Sequence, residues 1–177
     1  PLLWAISTSL KPLSEIVSAD IRLWVDNPTL EHYKYVFTYT NAYNANAFVV
    51  ALVNTSILTF VGMFSNILFC TLAGYAFAKL RFKGHKALFK VFLSSMMIPG
   101  IVTMVPSFVV IRYLNLWGSY WGVILPGATS VFNIFFMRQF LLGIRDALGE
   151  SGALDGAGEL TICFRIYVPL IKPAMAT

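Results

Sequence analysis

With 177 residues, 58% of them hydrophobic and only 12% charged, the chain is far more apolar than a soluble domain, where about a quarter of residues carry charge. A mean hydropathy of +0.72 excludes a freely soluble enzyme or binding module and predicts an all-α membrane protein, a polytopic helical bundle whose unit is a crossing of about 20 apolar residues. The net charge of +5 then matters through where the lysines and arginines fall along the chain.

The first segment, PLLWAISTSLK, reads as the outgoing end of a crossing over residues 1–11, stopped by Lys11 and Pro12. Because the sequence starts at Pro1 and ends at Thr177, a few residues into a fresh apolar run, it reads as a fragment of a longer protein. Residues 12–46 are polar and mixed, with Glu15, Asp20, Asp26 and Glu31 against Arg22 and Lys34, and carry the turn signal Asp26-Asn27-Pro28. They predict an extramembrane loop, in which His32 is a solvated residue.

Residues 47–78 hold no charged side chain and predict one long, tilted crossing. Lys79, Arg81, Lys83, Lys86 and Lys90 follow without an acidic residue among them. A short basic run beside a span marks the cytoplasmic side, and it is too short to argue for nucleic acid. A third crossing is expected over 91–112, interrupted by Pro99, Gly100 and Pro106, which the neighbours in a bundle can accommodate as kinks. Asn115 to Gly118 predicts an outer turn, with Tyr113, Trp117, Tyr120 and Trp121 as an aromatic belt. A fourth crossing covers 121–137 and ends at Arg138. The short basic run and the polar segment 138–165 thereby fall on one side, and the acidic loop 12–46 falls on the other, extracytoplasmic, side.

The interior spans lack Asp, Glu, Lys, Arg and His. Ion-coupled carriers keep such groups at membrane depth, so an ion-coupled carrier or channel subunit is the weaker alternative. Ser65, Ser94, Ser95 and Ser130 have no accompanying base, which argues against intramembrane catalysis. Asn54, Asn66 and Asn133 are the notable polar groups in the spans; such amides bridge helices or line a pathway for an uncharged polar solute. Neither histidine lies at metal-ligand spacing from another ligand, and neither a metal nor a cofactor is implied. Cys70 reads as a small hydrophobe.

The segment ESGALDGAGELTICFRIYVP, starting at Glu150, is the polar exception. It predicts two short helices. The first is capped by Asp146 and runs to Asp155, with Ala147, Leu154 and Ala157 on its apolar side. After a turn at Gly156-Ala157-Gly158, the second opens at Glu159, with Leu160, Cys163 and Phe164 on one face. Gly149 and Gly152 weaken the first helix by about 1 kcal/mol each relative to Ala.

Glu150, Asp155-Gly156-Ala157, Ile166 and Val168-Pro169 match the spacing of E-A-A-x-x-D-G-A followed by I-x-L-P, the EAA loop of binding-protein-dependent ABC transporter permeases. The segments PLLWAISTSLK, NPTLEHYKYVF, AGYAFAKLRFKGHK, MIPGIVTMVPSFVVIRYLNLWGSYWGVILP and FNIFFMRQFLLGI resemble, in order, the carbohydrate-uptake branch of that family, the maltose- and glycerol-phosphate-type permeases. The resemblance implies one partial permease domain over 1–177, with a core shared with the methionine-uptake type, in the inner (cytoplasmic) membrane. It also implies a second permease subunit, a dimer of ATPase subunits and an extracytoplasmic solute-binding protein as partners, with ATP hydrolysis outside this chain. It assigns Glu150 and Asp155 to polar contacts with the ATPase, Gly156 to the tight turn, and Ala153 and Ala157 to a close-packed face, and it includes Ile166 and Pro169 in the motif. Ser151 and Gly152 depart from the two alanines the family favours, and Val168 from its leucine.

Overall fold

The computed structural model describes residues 1–17, 22–40 and 46–176 and is helical throughout, with only an isolated bridge between Thr40 and Asn46 among the described residues. Asp20 and residues 41–45 of the expected outer loop, and Thr177, lie outside the described residues. The chain divides into two compact units, 1–56 and 57–177.

In the first unit, α1 (Leu2–Ser9) ends at Leu10, two residues before Pro12, which cannot continue a helix hydrogen-bond ladder. The expected loop contains two short helices, α2 (Leu13–Ile16) and α3 (Glu31–Thr38). His32 corrects the solvated reading: it is half-buried, and its Nε2 lies 2.9 Å from the carbonyl oxygen of Lys11. Lys11 is itself buried, with its ammonium donating to the Arg22 carbonyl and lying 5.2 Å from the Trp4 ring centroid. A buried ammonium is retained only with such partners. Asn46 starts α4 (Ala47–Lys79) by accepting the Val49 amide on its side chain at 2.9 Å.

The long apolar run forms one 33-residue helix, within a residue of expectation and the one described helix that is by itself long and apolar enough to cross a membrane. The next run bends far more sharply than a kink. Helix formation starts earlier, at α5 (His85–Ser94), passes a 3₁₀ turn at Ser95–Met97, stops at Pro99 and resumes as α6 (Gly100–Tyr113), the two arms meeting at 103°. Pro99 is the cause: it disfavours helical geometry at Ile98, which is extended (ψ 116°). Pro106 lies inside α6 without interrupting it.

Asn115 and Gly118 both take positive φ, 55° and 77°, and form the expected turn. Tyr113, Trp117, Tyr120 and Trp121 are all exposed around it. The following run is α7 (Tyr120–Gly127) and α8 (Val131–Leu142), bent by 45°, each capped by a serine hydroxyl, Ser119 and Ser130. α8 continues past Arg138 to Leu142, taking the first residues of the expected loop. The rest of the polar segment folds as α9 (Ala147–Leu154) and α10 (Glu159–Ile162), the latter running through a π-helical turn (Cys163–Tyr167) into α11 (Val168–Leu170) and then α12 (Lys172–Ala176).

The core of the second unit is where these pieces meet: Cys70 and Tyr75 of α4, Ile134, Met137 and Leu141 of α8, and Ile162, Cys163, Tyr167, Ile171 and Ala174. Gly74 sets the α4–α8 distance, since a Cβ there would lie 2.8 Å from Met137 Cβ and 3.1 Å from the Arg138 amide nitrogen.

Candidate functional site: a docking helix welded to the end of a span

The end of α9 follows from its residues. Gly156 adopts φ +81°, its amide donates to the Ala153 carbonyl, and the Ala157 amide donates to the Gly152 carbonyl, both at 3.0 Å. This is a Schellman turn, which satisfies the last carbonyls of the helix and requires a residue without a Cβ at the left-handed position. The turn leaves Leu154 89% exposed, flanked by exposed Ala153 and Asp155, with Glu150 exposed one turn earlier. Ala157 is half-buried against the core.

The faces expected of the two helices are corrected. Ala147 and Leu154 are exposed, and α9 turns its glycine face inward instead: Gly152 is buried and Gly149 half-buried. A Cβ at Gly149 would meet Tyr167 Oη at 2.6 Å, and one at Gly152 would meet Ile166 Cδ1 at 2.7 Å. The two glycines permit close approach rather than merely weakening a helix. In the second helix Cys163 is fully buried, whereas Leu160 and Phe164 are exposed. The π turn adds a residue to the helical cycle and brings Ile162, Cys163 and Tyr167 to the covered side. Ile166 is half-buried and Pro169 exposed.

Asp146 sits at the N-cap position of α9 but makes no capping bond. Its carboxylate instead accepts from Lys79 Nζ at 2.5 Å, and Lys79 also donates to the Ile144 carbonyl at 2.7 Å and lies 5.1 Å from the Tyr167 ring centroid. The Lys79 ammonium holds the Asp146 carboxyl below its ordinary range. One helical turn back, Tyr75 Oη donates to Glu159 Oε2 at 2.6 Å. Arg138 Nε donates to the Phe77 carbonyl at 3.2 Å, with its guanidinium 4.2 Å from the Phe89 ring centroid. A helix end leaves four carbonyls without partners and carries partial negative charge; here Arg138 takes the Phe77 carbonyl, and Lys79 places a cation in the last turn of α4. Glu150, Ala153, Glu159, Tyr75 and Lys79 line an open cavity of about 320 Å³ beside these contacts.

Two of the three asparagines come together deeper in the unit. Asn133 Nδ2 donates to Asn66 Oδ1 at 2.7 Å, and Asn66 Nδ2 donates to the Gly127 carbonyl at 2.9 Å. They bridge α4 to both arms of the bent pair and border a cavity of about 570 Å³ with Phe132, Phe136 and Met137. Asn54, half-buried, lies in the first unit. Ser65, Ser94 and Ser95 return their hydroxyl hydrogens to carbonyls of the preceding turn. What sequence reasoning missed is the role of Lys79, Tyr75 and Tyr167: the lysine read only as topology, and the tyrosines as span residues.

No family model matches the chain. It is 35% identical to the arabinooligosaccharides transport system permease protein AraQ of Bacillus subtilis, over 98% of this chain and 61% of AraQ. It is 33% identical to the galactooligosaccharides transport system permease protein GanQ of the same organism, over 99% of this chain and 61% of GanQ. Among solved structures, it superimposes with a TM-score of 0.86 and 26% identity on a chain of a bacterial ABC transporter involved in the import of the acidic polysaccharide alginate, over 99% of this chain and 60% of that one. Matched from end to end at this level, and spanning about three fifths of the length of these relatives, the chain is similar along its whole length to the permease proteins of carbohydrate ABC transport systems.

Proposed function

We propose that the protein is a permease subunit of an ATP-driven importer for a sugar or sugar derivative, and that α9 with its Gly156 turn is the element that docks on a separate ATPase. The observation that carries the reading is the exposed, rigidly capped tip at Leu154, in a chain whose relatives bear the names of oligosaccharide permeases. An 89% exposed leucine beside Ala153 and Asp155 is an apolar knob ringed by polar groups, which suits a groove on a soluble partner. Glu150 and Asp155 supply polar contacts at its rim, Ala153 and Ala157 allow close approach, Gly156 makes the turn, and Ile166 and Pro169 fix the helix that leads away. The full protein works in the cytoplasmic membrane with a second permease subunit, a pair of ATPase subunits and an extracytoplasmic solute-binding protein. Its helices are arranged as the core of the methionine-uptake type, with crossings near 47–78, 91–112 and 121–137, and the segments 1–11 and 166–177 belong to further crossings. Asn66, Asn133 and Asn54 border the route of an uncharged polar solute. ATP-driven closure of the motor moves α9, and the bend at Pro99 gives the adjoining helices two arrangements.

The test uses the full-length protein in its native membrane. Affinity purification in mild detergent should recover an ATPase, a second permease and a solute-binding protein. Glu150→Lys and Gly156→Trp should each reduce ATPase recovery and uptake while leaving membrane insertion unchanged. A loss of about 1.4 kcal/mol of docking energy would read as a tenfold loss of affinity for the ATPase. Normal uptake by both variants would overturn the assignment.

A further inference from the structure

Resting on the docking role just proposed for α9, we infer that Lys79 is a positioning residue that fixes α9 to the last turn of α4, so that α9 and the end of α4 move as one block. Three observations lead there. First, Lys79 is drawn in: its side chain is only 6% exposed although it carries a charge, and its ammonium joins Asp146 and the Ile144 carbonyl, the two positions that launch α9. Second, the packing around it is tight, with the Tyr167 ring lying between Lys79 and Gly149 and standing 5.5 Å from the Tyr75 ring. Third, the other links converge on the same two turns of α4, through Tyr75 to Glu159 and through Phe77 to Arg138. The 18-residue apolar window of α4, in contrast, is not buried. A displacement imposed on α9 therefore enters α4 at its last two turns, and among the described residues Lys79 spans directly from α4 to the start of α9.

The substitution Lys79→Met keeps the length and apolar stem of the side chain while removing both hydrogen bonds. Asp146, with a side chain 63% exposed, is then free to hydrate, so the fold should tolerate the change. The docking surface at Leu154, Asp155 and Gly156 is untouched. In proteoliposomes of the complete transporter, the expected result for Lys79→Met is wild-type recovery of the ATPase with at least a tenfold loss of solute moved per ATP hydrolysed, and recovery of that ratio in Lys79→Arg. A merely stabilising contact would lower the amount of assembled complex and leave the ratio unchanged, which would overturn the inference.

A second pair of variants separates lost contact from lost fold. Lys79→Cys should uncouple in the same way, and joining it by a short bifunctional thiol reagent to Asp146→Cys should restore transport per ATP. If the linked, assembled complex stays uncoupled, or if the link arrests a coupled Lys79→Cys variant, the two elements do not move as a block. Absence of any ATPase in the wild-type preparation would instead sink the docking role itself, and is told apart by being independent of residue 79.

Discussion

Gly149 and Gly152 look interchangeable in the sequence, yet the atoms facing them are not. At Gly149 a new methyl would lie 2.6 Å from Tyr167 Oη, and Tyr167 is only 2% exposed and held by neighbours on two sides. At Gly152 the obstacle is the terminal methyl of Ile166, a half-buried side chain with rotameric freedom. Gly→Ala gains about 1 kcal/mol of helix propensity at either site, whereas forcing an atom into a packed contact costs about 1–3 kcal/mol. Gly152→Ala should therefore be close to neutral in thermal stability, and Gly149→Ala destabilising, both read by detergent-phase melting of the full-length protein. Equal melting temperatures for the two would mean that Tyr167 is not fixed. Cys163 provides a pH-dependent counterpart. Burial, with the Glu159 charge adding to it, pushes its thiol from 9.0 up to about 11. The raised value favours the protonated form in the fold, so this contribution to stability is complete below pH 9.0 and is lost as pH rises through about 11. At pH 8 the folded protein should resist alkylation at Cys163, and peptide mass spectrometry should find the residue modified only after denaturation.

At the scale of elements, the asparagine bridge is the cleanest measure of how α4 holds the bent α7–α8 pair. Asn66→Leu removes both the Gly127 and Asn133 bonds, while Asn133→Leu removes one of them. An interhelical bond in a membrane is worth about 0.6 kcal/mol, up to about 1.7, and partners in one network are not additive. The double variant should melt like Asn66→Leu alone; a loss equal to the sum of the two would mean that the amides act separately. The boundaries of α4 were legible because its run is long, uncharged and closed by Lys79. The start of α5 was hidden because Lys86 and Lys90 lie on the exposed side of a helix whose Phe89 is buried, and a window searching for apolar runs passes over such an amphipathic turn. Two helices around the Gly156 turn were also legible, since Gly156 and Glu159 punctuate them. Their faces were not. A π turn offsets the 3.6-residue count by one, so Cys163 could not be placed with Leu160 and Phe164 by counting, and the inward face of α9 consists of glycines, which carry no hydrophobic signal. Lys79 was assigned by its charge to a membrane side, and its partners lie more than 60 residues away in the chain.

For the second unit as a whole, membrane topology turns on the 103° bend at Pro99. Five cations between Lys79 and Lys90 stand without an acidic residue, and Lys and Arg counts in short loops set the cytoplasmic side. The α9 tip, bound to Lys79 through Asp146, must then also face the cytoplasm. If α5 and α6 form one broken crossing, the Asn115 to Gly118 turn is extracytoplasmic and its exposed tryptophan sits at the outer interface; α7 and α8 then return the chain to α9. If the pair is a re-entrant loop, the same turn stays on the cytoplasmic side. Trp117 is 64% exposed and Leu154 89% exposed, so each accepts a cysteine without disturbing the core, and the native Cys70 and Cys163 are buried. With a membrane-impermeant maleimide on cells expressing the full-length protein without an ATPase partner, Leu154→Cys should label only after permeabilisation and Trp117→Cys in intact cells. That pattern requires the chain to cross between Lys79 and Trp117 and again between Trp117 and Leu154, as two bent spans would. Labelling of both positions only after permeabilisation would make the Pro99 elbow a re-entrant loop, and the helices on either side of it would form a floor beneath the pathway rather than its wall.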